Sequence, residues 1–265
     1  MTSRTAVFRG VQTEHTAQVV TRQLEELILT GVYRPGDRLP GERDLAKRLD
    51  VSRPTLRAAI KDLEDRDLLV SRRGGGTYVA DIYGSIVGEP IVQLLGSHPR
   101  ATADYMEFRR ELEGMTARFA AERATDADRE ILTLIFERME AAHNEEDCKN
   151  EATIDIEFHT AVCEAAHNVL FLHTLRSCYQ LLARGIFYAR SLIYDSGARD
   201  ELLSQHRAIY EAVMDGDPER AERVAIAHID FVQETMRNLE LHGNRVSDAE
   251  RRLQKRKEVR TGRSP

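Results

Sequence analysis

One segment decides the fold of the N-terminal part of the chain: LPGERDLAKRLDVSRPTLRAAIKDLEDRDLLVSRRGGGTYV, residues 39–79. Its apolar residues recur at helical spacing on either side of Asp50 and Val51, which predicts two short helices joined by a tight turn. Ser52 is a residue type that caps helices, and Pro54 is accepted in a first helical turn. The pattern therefore predicts a helix-turn-helix.

The second predicted helix has two different faces. Its apolar residues form one buried stripe at helical spacing, made of Leu56, Ala59, Ile60 and Leu63. Its basic residues repeat every four positions on another face, at Arg53, Arg57 and Lys61. A capped helix with a basic outer face suits the major groove of DNA, although such a face on its own is more often only solvated.

Two β-prone runs follow the helices, at 68–71 and 77–79. Arg72, Arg73 and three glycines separate them, which predicts a hairpin with a flexible basic tip. Glycines alone would indicate only a loop. The order of helix, turn, basic helix and hairpin predicts a winged helix-turn-helix.

The segment from residue 34 to residue 79 closely resembles the DNA-binding domain of GntR-type bacterial transcription regulators. We expect three residues of the recognition helix to read base edges, Arg53, Thr55 and Arg57, because the guanidinium fork is the natural reader of guanine. The resemblance implies further DNA contacts by Arg43, Ser52, Arg73 and Gly74. Of these, Arg73 and Gly74 are expected in the minor groove.

Composition places this segment in a protein with two domains of different charge. The chain has 265 residues and a net charge of −6. Residues 1–80 hold 14 Lys and Arg against 11 Asp and Glu, which gives +3 and leaves −9 for the remainder. A charge of +3 is too small for tight DNA binding by bulk attraction, so two copies acting together are expected.

The cysteines and the N-terminus indicate a cytoplasmic protein. The three cysteines are widely spaced and form neither a disulfide framework nor a C-x-x-C motif. The first residues lack the apolar core of a secretory signal, and no run is long enough for a membrane span. We therefore expect no membrane partner.

The predicted fold is mainly α, with a winged helix-turn-helix followed by an all-α bundle. The predicted domains are a disordered lead-in (1–12), the DNA-binding domain (13–80), a linker (81–89), the helical domain (90–245) and a basic tail (246–265). The last bundle helix is predicted over 218–241.

Four side chains in the helical part could bind a metal. Asp155 and His159 are four residues apart and share one helix face, while His206 and His228 follow apolar residues in two later helices. Three imidazoles and one carboxylate suit Zn²⁺, with Ni²⁺ or Mn²⁺ as alternatives. Histidines hydrogen-bonded in a core are the competing interpretation.

Residues 90–240 resemble the helical effector-binding domain, called FCD, of the FadR branch of GntR-type regulators. Metal-binding members use Asp-x-x-x-His followed by one His in each of the last two helices, and this implies Asp155, His159, His206 and His228 as ligands. The motif FRRELEG, residues 108–114, supplies an Arg109 that lines the effector cavity in the family. A salt bridge from Arg109 to Glu113 is the alternative.

The resemblance leaves the effector open between two kinds of small carboxylate. RRELEG (109–114) and CEAAHNVLFLHTLR (163–176) resemble pyruvate-responsive members, whereas His159 is more like the regulators of lactate and glycolate. We predict a homodimeric repressor, not an enzyme, that binds a palindromic DNA operator and such a carboxylate. The rival predictions are a repressor whose effector is the metal ion itself and a metalloenzyme tethered to DNA.

Overall fold

The structure is a computed structural model that describes residues 16–72, 75–80, 98–145, 148–183 and 197–260. The chain divides into two compact units, Met1–Gly84 and Ser85–Pro265. Nine helices and one two-stranded antiparallel sheet lie in the described ranges. The predicted fold class, a winged helix-turn-helix followed by a helical domain, is confirmed.

The described part of the N-terminal unit contains three helices and a hairpin. Its elements are α1 (Thr16–Leu29), α2 (Glu42–Arg48), α3 (Arg53–Asp65), β1 (Leu69–Arg72) and β2 (Gly76–Val79). Their apolar faces meet in one core, whose buried members include Val20, Leu24, Ile28, Leu45, Leu56, Ala59, Ile60, Leu63, Leu69 and Val79. The predicted apolar stripe of α3 lies in this core, so its basic face is left outside.

The turn between α2 and α3 has the tight geometry that the sequence predicts. Asp50 adopts a left-handed φ of +52°, which Asp tolerates because its short polar side chain can hydrogen-bond locally. The Val51 N–H then donates to the Ala46 carbonyl at 3.0 Å. Ser52 caps α3, because its hydroxyl accepts a hydrogen bond from the Thr55 N–H at 3.2 Å.

The hairpin pairs β1 with β2 from Leu69 opposite Val79 to Arg72 opposite Gly76. Gly76 has a φ of +104°, and a Cβ at this position would lie 2.8 Å from Arg38 Nε. The backbone conformation favours glycine, and a larger residue would also displace the Arg38 side chain. The described strands thus form the two sides of the predicted wing.

The described part of the C-terminal unit contains six helices. They are α4 (Pro99–Arg123), α5 (Asp126–Asn144), α6 (Cys148–Ala165), α7 (Val169–Ala183), α8 (Arg199–Asp215) and α9 (Pro218–Arg260). A core of small and aromatic residues joins α4, α5, α6, α8 and α9. Close packing of α4 on α9 depends on Gly114, where a Cβ would lie 2.7 Å from Ile226 Cγ1.

The last helix is longer than predicted. It continues to Arg260 instead of ending near residue 241, so the basic tail expected at 246–265 is helical as far as residue 260. Residues 242–260 contain no proline and many Glu, Arg, Lys, Gln and Leu residues, which favour helix even without a core to pack on. The predicted lead-in (1–12), linker (81–89) and tail end (261–265) lie outside the described residues. No helix in the described ranges is both long and apolar enough to cross a membrane.

Candidate functional site

The recognition helix α3 presents its predicted DNA-reading residues away from the core. The side chains of Arg53 and Arg57 are 56% and 61% exposed, and Thr55 is half-buried between them. Ser52 at the helix cap and Arg43 on α2 are also exposed. An exposed, basic N-terminal end of the second helix is the part of this motif that enters the major groove.

Glu42 of α2 contacts both arginines of the recognition helix. Arg57 Nε donates to Glu42 Oε2 at 2.8 Å, and Arg53 Nη2 lies 3.6 Å from the same oxygen. Exposed ion pairs of this kind contribute about 0 to 1 kcal/mol. The guanidinium groups can therefore leave Glu42 for DNA at small cost. Sequence reasoning missed Glu42, because the contact crosses the turn and carries no helical spacing.

The wing is described only in part. The Arg72 guanidinium carbon lies 4.6 Å from the centre of the Tyr78 ring, which holds one basic side chain against β2. Arg73 and Gly74 lie outside the described residues, so their contacts with the minor groove stay a prediction.

The four predicted metal ligands converge inside the C-terminal unit. Asp155 and His159 project from α6, His206 from α8 and His228 from α9. Asp155 Oδ1 lies 3.0 Å from His206 Nε2 and 3.7 Å from His159 Nε2. The two Nε2 atoms are 3.2 Å apart, and one ring nitrogen of each of the three histidines lies within 4.8 Å of the others.

These spacings fit a divalent transition metal. Imidazole nitrogens and carboxylate oxygens bind Zn²⁺ at about 2.0 to 2.2 Å, which places adjacent ligand atoms about 3 Å apart. All four side chains are buried, and an imidazole must be neutral to bind a metal. Burial, with the neighbouring His206 and His159, holds the pKa of His228 well below its usual value. The residues present therefore fit the metal that the resemblance implies.

Two further side chains orient the histidine rings. His159 Nδ1 lies 3.0 Å from Glu113 Oε2, and His228 Nδ1 lies 3.1 Å from Gln205 Oε1. When Nδ1 donates to these oxygens, the lone pair is left on Nε2, as metal-binding histidines require. Sequence reasoning named Glu113 only as a partner of Arg109, and it missed Gln205, whose position beside His206 gives no spacing signal.

Arg109 lies next to the cluster and forms a salt bridge with Glu113. Both side chains are more than nine-tenths buried, at 3% and 6% exposure. Burial alone would raise the pKa of Glu113, but Arg109 and His159 outweigh it and hold that pKa well below its usual range. Glu113 therefore links a guanidinium to a candidate metal ligand. The alternative expectation, the salt bridge, is present, while the effector role of Arg109 stays a prediction.

A partly open pocket reaches two of the four candidate ligands, Asp155 and His206. Its other walls are Met139, His143, Glu151, Arg199, Leu202 and Leu203. Arg199 is anchored there by Glu151 and by the His143 carbonyl, which accepts a hydrogen bond at 2.9 Å. The pocket encloses about 20 Å³, which is space for a water molecule beside two of the candidate metal ligands.

Both units have counterparts among known proteins. Residues 16–79 match the family described as "Bacterial regulatory proteins, gntR family", and residues 104–231 match the FCD domain. The Glc operon transcriptional activator of Escherichia coli (strain K12) is 32% identical over 86% of this chain and 92% of its own length. The putative L-lactate dehydrogenase operon regulatory protein of the same strain is 36% identical over 77% of this chain and 80% of its own.

One solved structure extends the likeness to the fold. The Streptococcus agalactiae GntR structure has a TM-score of 0.52 and 31% sequence identity, and the match covers 82% of this chain and 99% of that one. The two units therefore occur together, in this order, in proteins that regulate transcription.

Proposed function

Because the chain belongs to the gntR family of bacterial regulatory proteins and carries an FCD domain, we propose that it is a ligand-controlled repressor with a metal site. It is a transcription regulator whose N-terminal unit binds DNA. In the proposal, a homodimer binds a palindromic operator, and a small carboxylate at a divalent-metal site in the helical unit controls the affinity.

One observation carries the metal part of the proposal: three buried histidines from three helices bring ring nitrogens within 4.8 Å of one another, and the buried Asp155 carboxylate lies against two of them. Asp155 Oδ1, His159 Nε2 and His206 Nε2 are 3.0 to 3.7 Å apart. Glu113 and Gln205 lie at the Nδ1 atoms of His159 and His228, which is the arrangement that orients metal-binding histidines. Zn²⁺ is the favoured ion, with Ni²⁺ and Mn²⁺ as alternatives.

The DNA part of the proposal rests on the exposed face of α3. Arg53 and Arg57 are exposed and Thr55 is half-buried beside the Ser52 cap, so all three lie at the N-terminal end of α3, where base edges would be read. Specific sites of this kind are usually read by two copies on a palindrome, with half-sites set by the spacing of the two recognition helices. The net charge of +3 on residues 1–80 supports a need for two copies.

A small carboxylate is the effector class that the chemistry of the site supports. The buried guanidinium of Arg109 lies near the metal ligands, and a guanidinium recognises carboxylates through paired hydrogen bonds. The four side chains would complete a tetrahedral Zn²⁺ site, so a carboxylate or hydroxyl oxygen would bind by raising the coordination number of the ion to five or six. The likeness to a putative L-lactate dehydrogenase operon regulator supports L-lactate, and pyruvate and glycolate share its size and charge.

The proposed switch works through α4. This helix carries Arg109 and Glu113, whereas the candidate metal ligands lie on α6, α8 and α9. A ligand that contacts both groups would draw α4 toward the other helices, and α4 is the first described helix after the DNA-binding unit along the chain. To weaken operator binding tenfold, the effector must favour the non-binding arrangement by about 1.4 kcal/mol.

The experiment starts with an operator obtained by selection from random DNA on the purified, Zn²⁺-loaded protein. Fluorescence anisotropy then measures operator affinity with and without pyruvate, L-lactate and glycolate. We expect at least one acid to weaken operator binding tenfold or more. Acetate at equal concentration is the control and should weaken operator binding less. Operator affinity that follows Zn²⁺ alone, with no response to any acid, would instead support a metal-responsive repressor, and steady turnover of an acid would support an enzyme.

A further inference from the structure

The hydroxyl of Tyr179 is a buried polar group with an unmet hydrogen-bonding need. Tyr179 lies on α7 and is 4% exposed. Its oxygen is shielded from solvent and makes no hydrogen bond to any residue in the described ranges. A buried polar group without a hydrogen-bond partner destabilises the folded protein. This hydroxyl is therefore a candidate to form a hydrogen bond with a bound ligand.

The surroundings of Tyr179 connect it to the candidate effector site. The Arg109 guanidinium carbon lies 5.3 Å from the centre of the Tyr179 ring, and the ring centres of Tyr179 and His159 are 5.8 Å apart. Its apolar neighbours belong to the cluster of Leu112, Cys163, Leu172 and Leu175, and the Glu113 carboxylate is a further polar neighbour. The tyrosine therefore lies beside both the basic side chain and one of the candidate metal ligands.

Tyr105 provides an internal comparison within the same region. It is also a buried tyrosine, but its hydroxyl donates to the Cys178 carbonyl at 3.1 Å. Its partner belongs to the protein, so this hydroxyl is satisfied without a ligand. The Tyr105 hydroxyl therefore has a structural hydrogen bond, whereas the Tyr179 hydroxyl is a candidate to bind a ligand.

We propose that the Tyr179 hydroxyl donates a hydrogen bond to a carboxylate oxygen of the effector. This inference rests on the proposed function and adds a recognition residue on α7 to the one expected on α4. An ionised carboxylate only accepts hydrogen bonds, whereas a phenol with an ordinary pKa of about 10 is a donor at neutral pH. A donor beside a guanidinium matches the anion of a small 2-oxo or 2-hydroxy acid, and it disfavours uncharged ligands of the same size.

The test compares Tyr179→Phe with Tyr105→Phe in the full-length, Zn²⁺-loaded protein. Three quantities are measured: zinc content, the thermal midpoint without acid, and the Kd for L-lactate, pyruvate and glycolate by calorimetry. We expect Tyr179→Phe to keep its zinc, to unfold at the same or a higher temperature, and to bind the acid about tenfold more weakly. Tyr105→Phe is the control for stability and should lower the thermal midpoint, because it removes a hydroxyl that is hydrogen-bonded within the protein. Its Kd is not used as a control, since Tyr105 also contacts Arg109.

Two outcomes would overturn the role of Tyr179. In the first, wild type and Tyr179→Phe bind the acid equally well, which shows that the hydroxyl does not contact it. In the second, Tyr179→Phe lowers the thermal midpoint as much as Tyr105→Phe, which shows a structural hydrogen bond. A wild-type protein that binds none of the three acids would overturn the carboxylate effector itself, and the role of Tyr179 with it.

Discussion

Each unit contains an arginine–glutamate pair, and the two pairs differ in their exposure to solvent. In the N-terminal unit, Arg57 meets Glu42 where the two side chains are 61% and 38% exposed. In the helical unit, Arg109 meets Glu113 where they are 3% and 6% exposed. Water screens the first pair, so it breaks easily and releases Arg57 for DNA. The second pair is held in place, because separating its charges would leave one of them buried alone.

This difference in burial predicts that substitutions will have different effects in the two units. The recognition helix can lose or exchange its polar contacts without affecting the core, so its substitutions should change binding and not stability. Glu113 and the candidate metal ligands are charged or hydrogen-bonded groups of the core, so their substitutions should change stability, metal binding and effector response together.

The largest effect is expected when the buried pair is broken. In metal-free protein, Glu113→Gln removes the carboxylate that pairs with the buried Arg109 guanidinium and should reduce the free energy of unfolding by about 3 to 5 kcal/mol. Glu42→Gln removes the matching carboxylate from the exposed pair and should change it by less than about 1 kcal/mol. Urea unfolding of both variants measures the difference. Equal losses would refute the contrast between the two pairs.

Metal removal should have the next largest effect, and only the helical unit should respond. A metal at a thousand times its Kd stabilises the folded protein by about 4 kcal/mol. We expect chelation to lower the thermal midpoint of wild-type protein and to leave operator affinity without acid nearly unchanged. His206→Ala removes one candidate ligand, so its midpoint should no longer depend on chelator. An undiminished chelator effect in that variant would show that the metal binds elsewhere.

Substitution in the recognition helix should affect DNA binding alone. Arg57→Ala should weaken operator binding by about 1 to 3 kcal/mol and relax the preference at one base pair. Its thermal midpoint and zinc content should equal those of the wild type, because Arg57 is exposed and far outside the apolar stripe of α3. Anisotropy titrations on the selected operator and on single-base variants measure this. Loss of zinc in Arg57→Ala would contradict the independence of the two units.

The smallest effect is the loss of stability that we expect when the pH of metal-free protein is lowered, because the candidate metal-binding histidines are buried. Burial, with His206 and His159, holds the pKa of His228 in the folded state below its ordinary value of 6.5. The unfolded chain therefore takes up a proton below pH 6.5 that the folded chain does not. The stability due to neutral His228 is fully present above pH 6.5 and is lost as the pH falls.

The expected slope is up to about 1.4 kcal/mol of unfolding free energy per pH unit below pH 6.5. Urea unfolding between pH 7.5 and 5.5, with chelator present, measures it. His228→Gln serves as the matched control and should show a shallower slope. Identical slopes for both proteins would show that His228 is not the group responsible.

The sequence predicts the exposed unit more completely than the buried site, and the reason is physical. Helical spacing alone identifies the core face of α3 and hence the opposite face that carries Arg53 and Arg57. Spacing also places Asp155 and His159 on one face of α6. It cannot predict that His206 and His228 come from two other helices to the same point, since that depends on packing. The family resemblance supplied those two positions.

Other parts of the site had no signal in the sequence. Gln205 and Tyr179 act through tertiary contacts, and nothing in their local sequence distinguishes them from ordinary helix residues. Glu42 likewise meets Arg57 across a turn. The helix α9 ends later than the predicted Leu241. Apolar periodicity fades after that residue, while helix-favouring Arg, Lys and Glu residues continue, and the helix extends to Arg260.

The central claim is that the buried cluster of Asp155, His159, His206 and His228 controls the operator affinity of the exposed helix. Its most direct test is an effector titration of the protein–operator complex, made with Zn²⁺-loaded protein and with metal-stripped protein that circular dichroism shows to be folded. The account predicts that the loaded protein releases the operator as the acid concentration rises, and that the stripped protein stays bound. Release of both at the same acid concentration would contradict it.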